Sequence, residues 1–309
     1  MVTGAAGFIG SHLCDELLRR GHRVVGIDSF EPTYPRAQKQ LNLPAHENFA
    51  LHEGDVVDAP LAELLEGVEW VFHIAAKPGV RDSWSGFDAY LRSNLAATNA
   101  LLDACVGRDV RVVYASSSSV YGNPAALPVS EEVPLHPLSP YGATKVATEA
   151  LGSAFWQSQG VDVVGLRYFT AYGPRQRPDM ALARFIDAAL RGEELPIFGD
   201  GRQTRDFTYI ADIVAGTIAA AERGHAGAAY NIASGNPQPL LDVLDQLAAA
   251  LEQPLTLRRD PAPAGESRDT WGDIALAREH LGYAPTVALA DGLAAQVEET
   301  RRRAALPVA

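Results

Sequence analysis

Short apolar runs alternate with longer stretches whose apolar positions recur every three or four residues, and this double rhythm governs the first half of the chain. Met1-Val2-Thr3 leads into Gly4-Ala5-Ala6-Gly7-Phe8-Ile9-Gly10. Residues 11–20 carry helical spacing, which Gly21-His22 stops. Residues 23–28 read as a strand ending in an acid, and 49–56 and 70–76 as the next two strands. A helix over about 86–105, a strand at 110–116, a helix opening at Pro140 and a strand at 161–167 continue the alternation. Such alternation implies a parallel sheet with right-handed crossovers and ligands at the carboxyl ends of its strands. Three residues before the glycines make a short central strand, so the expectation is a trimmed N-terminus.

Past Phe169 the texture changes. Gly173-Pro174, Arg177-Pro178, Pro196, Gly199-Asp200-Gly201, Pro254, Pro261 and Pro263 break the chain into short pieces, which suggests a smaller lobe over the ligand edge of the sheet. The helix-like 210–223 and strand-like 228–233 can return to the first domain. The pattern therefore predicts an α/β protein: a Rossmann-type doubly wound sheet with an interleaved substrate-binding lobe. The expected division is 1–169 with 206–234 returning to it, against 170–205 and 235–309. The tail 298–309, with Arg301-Arg302-Arg303, reads as a solvated, fraying helix end.

Composition narrows the function. With 309 residues, 47% hydrophobic and 21% charged, the chain is an ordinary globule. A formal charge of -12 argues against nucleic acid or anionic membrane as partner, so an anionic ligand needs a local basic pocket. No apolar run approaches the roughly 18 residues of a spanning helix, and no signal peptide precedes the first motif. Cys14 and Cys105 lack metal spacing and read as reduced core residues, so no metal and a cytoplasmic location are expected.

The candidate chemistry lies at two places. Glycines at 4, 7 and 10 let the backbone approach a pyrophosphate at a helix N-terminus. Asp28 can accept hydrogen bonds from ribose hydroxyls and would repel a 2′-phosphate, which favours NAD over NADP. Further on, Ser139-Pro140-Tyr141-Gly142-Ala143-Thr144-Lys145 opens a helix with Tyr141 and Lys145 four apart on one face. An ammonium near a phenol favours phenolate, so the Tyr141 pKa is expected to fall from about 10 toward neutrality, making a base for a sugar or alcohol hydroxyl. Tyr-x-x-x-Lys alone is usually a surface pair; the upstream glycines and acid give it meaning.

In order, the chain carries Gly4-x-x-Gly7-x-x-Gly10, Asp28, His73-Ile74-Ala75-Ala76, Ser116-Ser117-Ser118-Ser119-Val120-Tyr121-Gly122, Tyr141-x-x-x-Lys145, Arg167-Tyr168-Phe169-Thr170-x-Tyr172-Gly173-Pro174 and Gly199-Asp200-Gly201-x-Gln203-x-Arg205-Asp206-Phe207. Together they resemble the extended short-chain dehydrogenase/reductases, in particular the nucleotide-sugar epimerases and dehydratases. The resemblance implies Tyr141 as base, Lys145 as its partner on the nicotinamide ribose, and Ser117 as the catalytic hydroxyl. It implies NAD contacts from Gly4, Gly7, Phe8, Ile9, Gly10, Asp28, Ser29, Asp55, Val56, Ala75, Ala76, Lys77, Asn94 and Tyr168. It also implies UDP-sugar contacts from Gly79, Arg81, Ser117, Ser118, Ser119, Ile197, Phe198, Gln203, Arg205, Glu266 and Arg268. The helices starting near Gly86 and Pro140 form a four-helix dimer interface in such proteins, which implies a homodimer.

Residue types separate the reactions of that group. The 4,6-dehydratases resembled carry Asp-Glu where this chain has Ser118-Ser119, and the UDP-glucuronate decarboxylases carry Glu at Ser119. Thr170 followed by Arg177-Pro178-Asp179-Met180-Ala181 is most similar to UDP-glucuronate 4-epimerases, which implies that Thr170 and Arg177 bind the sugar carboxylate. UDP-glucose and UDP-N-acetylglucosamine epimerases, which usually carry Asn at the Thr170 position, are the alternative. Two departures from the pattern are Lys77-Pro78 in place of Gln-Ala and Ala264-Gly265-Glu266 in place of Pro-Gly-Asp. A redox-sensing NAD-binding regulator would lack the Tyr/Lys/Ser set, and an ordinary alcohol dehydrogenase would lack the nucleotide clamp.

Overall fold

A computed structural model describes residues 1–261 and 267–305. Seven parallel strands form one sheet in the order Ala229–Ile232, Asp162–Tyr168, Arg111–Ser117, Trp70–His73, Val2–Thr3, Val24–Asp28, Phe49–Glu53. Its central strands are buried on both faces, as parallel strands covered by helices must be: Val71, Val112, Val113, Val163 and Val164 are 1% exposed or less. One face carries Leu13, Leu17, Ile213 and Ile218, the other Leu101, Leu102 and Val161. Strand order reverses at Val2–Thr3, and there the helices on the two faces part to leave a crevice.

Val2–Thr3 pairs on both sides over two residues only, with Gly26 and Ile27 and with Phe72 and His73. Side chains reinforce it. Thr3 Oγ1 lies 2.9 Å from His73 Nδ1 and accepts from the Ala75 amide at 3.1 Å. Two strands end earlier than the apolar runs predict, at Glu53 and His73 rather than 56 and 76. The residues beyond them turn out of the sheet and into the crevice. The expected helix over 86–105 is divided into Phe87–Tyr90, a π-helical turn Leu91–Ala96 and Ala97–Cys105. Its wider turn buries Asn94.

The helix Pro140–Gln159 is built as its sequence indicates. Ser139 Oγ accepts from the Gly142 amide at 3.1 Å, Pro140 takes the first turn, and Gly160 ends it at φ +72°. Helix Ile210–Arg223 and strand Ala229–Ile232 return to the sheet. Past residue 170 the chain is more regular than its prolines suggest. Helices Ala181–Leu190, Leu240–Leu251 and Leu289–Ala304 share a separate core of Leu182, Ile186, Leu195, Val243, Leu247 and Leu293. Helix Ala275–Leu281, by contrast, buries Ala277 and Leu281 in the core of the sheet. Arg301 donates to the Leu251 carbonyl at 2.8 Å, so the arginine run is partly anchored. Cys14 and Cys105 are buried, unpaired thiols.

His73 is 3% exposed, and burial pushes its imidazole down to about 3, with the Lys145 charge adding to the effect. A folded-state pKa below the unfolded one contributes stability above about pH 6.5 that is lost as pH falls toward 3. Urea titrations are therefore expected to lose about 1.4 kcal/mol per pH unit through this group over that window, and His73→Asn to flatten the slope. Identical slopes in the two proteins would contradict this.

Candidate active site

The crevice holds a cavity of about 480 Å³. Gly4, Gly7, Phe8, Ile9, Gly10, Asp28, Ser29, Asp55, Val56, Ala75, Ala76, Lys77, Ser117, Ser118, Ser119, Tyr141, Lys145, Tyr168, Thr170 and Arg177 line it, so most of the residues picked from the sequence converge on one space. A Cβ at Gly10 would stand 2.1 Å from the Gly4 carbonyl oxygen, and Gly4 itself has φ +71°. Only glycine fits this turn, and the helix Phe8–Arg19 begins on it, with Phe8, Ile9 and Gly10 of its first turn in the cavity lining.

Asp28 ends its strand at the cavity rim, 8% exposed. Its carboxylate accepts from the Ala6 amide at 3.0 Å and the Phe30 amide at 2.8 Å. A carboxylate has about four acceptor directions, so two bonds leave capacity for ligand hydroxyls. The glycine cradle and this acid fit a dinucleotide such as NAD. Lys39, Lys77, Lys145 and Arg177 supply the local positive charge that an acidic protein needs to hold an anion.

Tyr141 lines the cavity beside Ser117, with the Tyr90 ring edge-on at 6.3 Å. Burial pushes its phenol above the ordinary value, opposed by the hydrogen bond with the Ser117 side chain and by the Arg177 charge. The expected fall toward neutrality under Lys145 is therefore not found. The Lys145 ammonium, 4% exposed, donates to the Ala115 carbonyl at 2.8 Å. Burial lowers its pKa to about 8, while Glu149 pulls the other way. Desolvation outweighs the attraction assumed from spacing alone. Ser117 is turned by Ser119, whose amide it caps at 3.2 Å and whose hydroxyl it meets at 3.1 Å.

Asn94 lies outside the cavity lining. Its carboxamide accepts from the Lys77 amide at 2.7 Å and donates to the Lys77 carbonyl at 3.1 Å and to Thr144 Oγ1 at 2.9 Å. It locks the loop after strand Trp70–His73 to the helix of Tyr141.

Thr170 and Arg177 line the same cavity. Strand Thr170–Tyr172 pairs with Phe207–Tyr209, and the fully buried Asp206 braces the junction by accepting from the Ser234, Gly235 and Gly272 amides. Gln176 fixes the following loop: it donates to the Ala171 carbonyl at 3.0 Å and accepts from the Ala183 amide at 3.0 Å and Gln296 at 2.7 Å. Arg177, the next residue, makes a two-pronged contact with Asp179.

The remaining sequence-picked residues form a second cluster. Gly79 and Arg81 continue the loop from Lys77 and Pro78, and the Arg81 guanidinium lies 4.3 Å from the centre of the Phe198 ring. Gln203 donates to the Phe198 carbonyl at 3.1 Å, Ile197 is core beneath, and Arg205 donates to the Arg268 carbonyl at 2.6 Å. Arg268 is exposed, 3.6 Å from Asp200. Glu266 lies outside the described residues. Sequence reasoning missed Glu31, Thr33, Tyr34, Lys39, Pro78 and Met180, all in the cavity wall. The first four lie in the segment after the acid-tipped strand, which was the available signal; Pro78 and Met180 stand inside motifs quoted from the sequence but were given no contact there. Among the described residues no three His, Cys, Asp or Glu side chains form a metal site, and no helix is long and apolar enough to cross a membrane.

Residues 1–233 match the family described as NAD dependent epimerase/dehydratase. A Bacillus subtilis protein named as an uncharacterized UDP-glucose epimerase, YtcB, is 45% identical over 96% of both chains. A UDP-glucose 4-epimerase of Mycolicibacterium smegmatis is 37% identical over 98% of both. The crystal structure of a UDP-glucuronic acid 4-epimerase from Bacillus cereus with UDP-glucuronic acid and NAD superposes with a TM-score of 0.94, at 42% identity over 98% of both chains.

Asp28 is the group placed to choose between dinucleotides. Calorimetric titration is expected to show NAD bound at least tenfold more tightly than NADP, and Asp28→Asn to narrow that ratio. Equal affinities in the parent protein would remove Asp28 from the cofactor site.

Proposed function

We propose that this chain, which belongs to the NAD dependent epimerase/dehydratase family, inverts C4 of a UDP-sugar through a 4-keto sugar and takes UDP-glucuronate as its preferred substrate. The observation that carries this reading is that Tyr141 and Ser117 share one cavity with Thr170 and Arg177, with the Arg177 charge close enough to act on the Tyr141 phenol. Likeness to the Bacillus cereus enzyme supports the uronate, and likeness to the two UDP-glucose epimerases supports the neutral sugar as second reading.

NAD, held on the Gly4–Gly10 turn and by Asp28, supplies the hydride acceptor and donor for C4. Tyr141 takes the C4 hydroxyl proton, with Ser117 orienting that hydroxyl. The ionised phenol is disfavoured by burial, so Ser117 and the Arg177 charge provide the opposing stabilisation at the reacting end. The 4-keto sugar turns about its diphosphate linkage so that the hydride would return to the other face of C4, and Tyr141 gives its proton back to the C4 oxygen. The nucleotide end falls to Arg81, Phe198, Gln203, Arg205 and Arg268, where a planar guanidinium fits a diphosphate and a ring packs a base. In the same reading the protein is a cytoplasmic homodimer. Buried unpaired cysteines suit a reducing compartment, and Phe87, Leu91 and Trp156 are exposed apolar side chains that a second copy would cover.

Oxidising a uronate at C4 makes a β-keto acid, which loses carbon dioxide readily when its carboxylate bond stands perpendicular to the ketone plane. Thr170 and Arg177 hold the carboxylate away from that geometry, and Ser119 replaces the glutamate of decarboxylating relatives. Arg177→Ala is therefore expected to lose at least tenfold in kcat/KM on UDP-glucuronate and to divert part of the residual turnover to a decarboxylated pentose. Product identification on UDP-glucuronate, UDP-glucose and UDP-N-acetylglucosamine tests this. A parent protein that prefers UDP-glucose, or that releases pentose as its main product, would overturn the uronate assignment.

A further inference from the structure

Arg177 already holds a carboxylate. Its Nε donates to Asp179 Oδ1 at 3.0 Å and its Nη2 to Asp179 Oδ2, so the side-on edge of the guanidinium is bound in the two-pronged manner that suits a carboxylate. The two partners differ in setting. The Arg177 side chain is 18% exposed and faces the cavity beside Thr170 and Met180, whereas that of Asp179 is 49% exposed. Arg177 cannot easily withdraw, because Gln176 ties its loop to Ala171, Ala183 and Gln296, and the Arg177 carbonyl accepts from the Met180 amide at 3.1 Å. Asp179 has water to move into.

We infer that Asp179 is an internal stand-in for the sugar carboxylate, occupying the Arg177 fork until a uronate displaces it. The inference rests on the uronate reading above and adds a specificity residue to it. A 6-carboxylate brings the charge and the pair of oxygens needed to exchange with Asp179. A 6-hydroxymethyl sugar brings neither and leaves the internal pair intact. Asp179 thus taxes the uronate alone, and it keeps the guanidinium from being left without a counter-charge when the sugar is neutral or absent.

The size of the effect follows from the setting. A partly exposed ion pair is worth little, so exchange weakens uronate binding by about two- to fivefold. Asp179→Asn keeps the size and removes the charge; Asp179→Ala removes the contact. Both are expected to tighten UDP-glucuronate by about two- to fivefold in calorimetric titration, with a matching fall in KM, while UDP-glucose affinity moves less than twofold. If both variants bind UDP-glucuronate equally or more weakly, Asp179 buttresses Arg177 through the edge that faces away from substrate, and the stand-in is refuted. Equal tightening for both nucleotides would refute it as well, since the effect would then lie in the loop and not in the charge. Failure of the uronate reading itself is separately visible, as a parent protein that does not favour UDP-glucuronate over UDP-glucose.

Discussion

Lys145 is an ammonium in the protein interior, and the helix that carries it can sit only where the sheet compensates that charge. An isolated buried ion costs several kcal/mol. Here the Ala115 carbonyl accepts from it at the end of a central strand, and Glu149, one further turn along the same helix face, opposes the effect of burial. Glu149 is in turn held by Arg167 from the neighbouring strand, at 2.7 and 3.0 Å, and by Ser116 at 2.5 Å. Breaking such a buried pair by removing one member typically costs about 3–5 kcal/mol. Tyr141, Lys145 and Glu149 thus form a file four residues apart, pinned to two strand ends, and that file together with the Ser117 side chain places the Tyr141 phenol in the cavity.

The part of the cavity wall that carries Thr170 and Arg177 is built by a different device. Thr170 and Arg177 stand on a strand and loop braced by Asp206 and Gln176, both engaged with backbone amides. The two walls meet electrostatically. The Arg177 charge favours the ionised form of Tyr141, so whatever occupies the guanidinium fork also alters the proton affinity of that phenol. Burial of Tyr141 makes that influence matter, because charge acts strongly where water is excluded.

Fold and cavity were legible in the sequence to the extent that local rules decide them. Strand and helix alternation, the glycine turn and the Ser139-Pro140 start each depend on near neighbours, and helix Ile210–Arg223 falls on its predicted limits. What the sequence did not disclose depends on distant partners. The Tyr141 pKa is raised by burial and opposed by Ser117 and Arg177, residues distant in sequence, rather than by the lysine four residues away. Asn94 reads as a cavity residue until a π-turn rotates it toward Lys77 and Thr144. Helices Ala181–Leu190, Leu240–Leu251 and Ala275–Leu281 were hidden by the prolines and glycines between them, and the pairing of Arg177 with Asp179 is invisible without the loop's path.

The central claim is that a hydride leaves C4 and returns to the same carbon while the carboxylate is retained. UDP-glucuronate deuterated at C4, incubated with the purified protein without added oxidant and followed by proton NMR, tests it most directly. The account requires UDP-galacturonate to accumulate with deuterium still at C4 and no hydrogen from solvent at that position. Exchange of the C4 label with water, or loss of carbon dioxide as the main course, would contradict it.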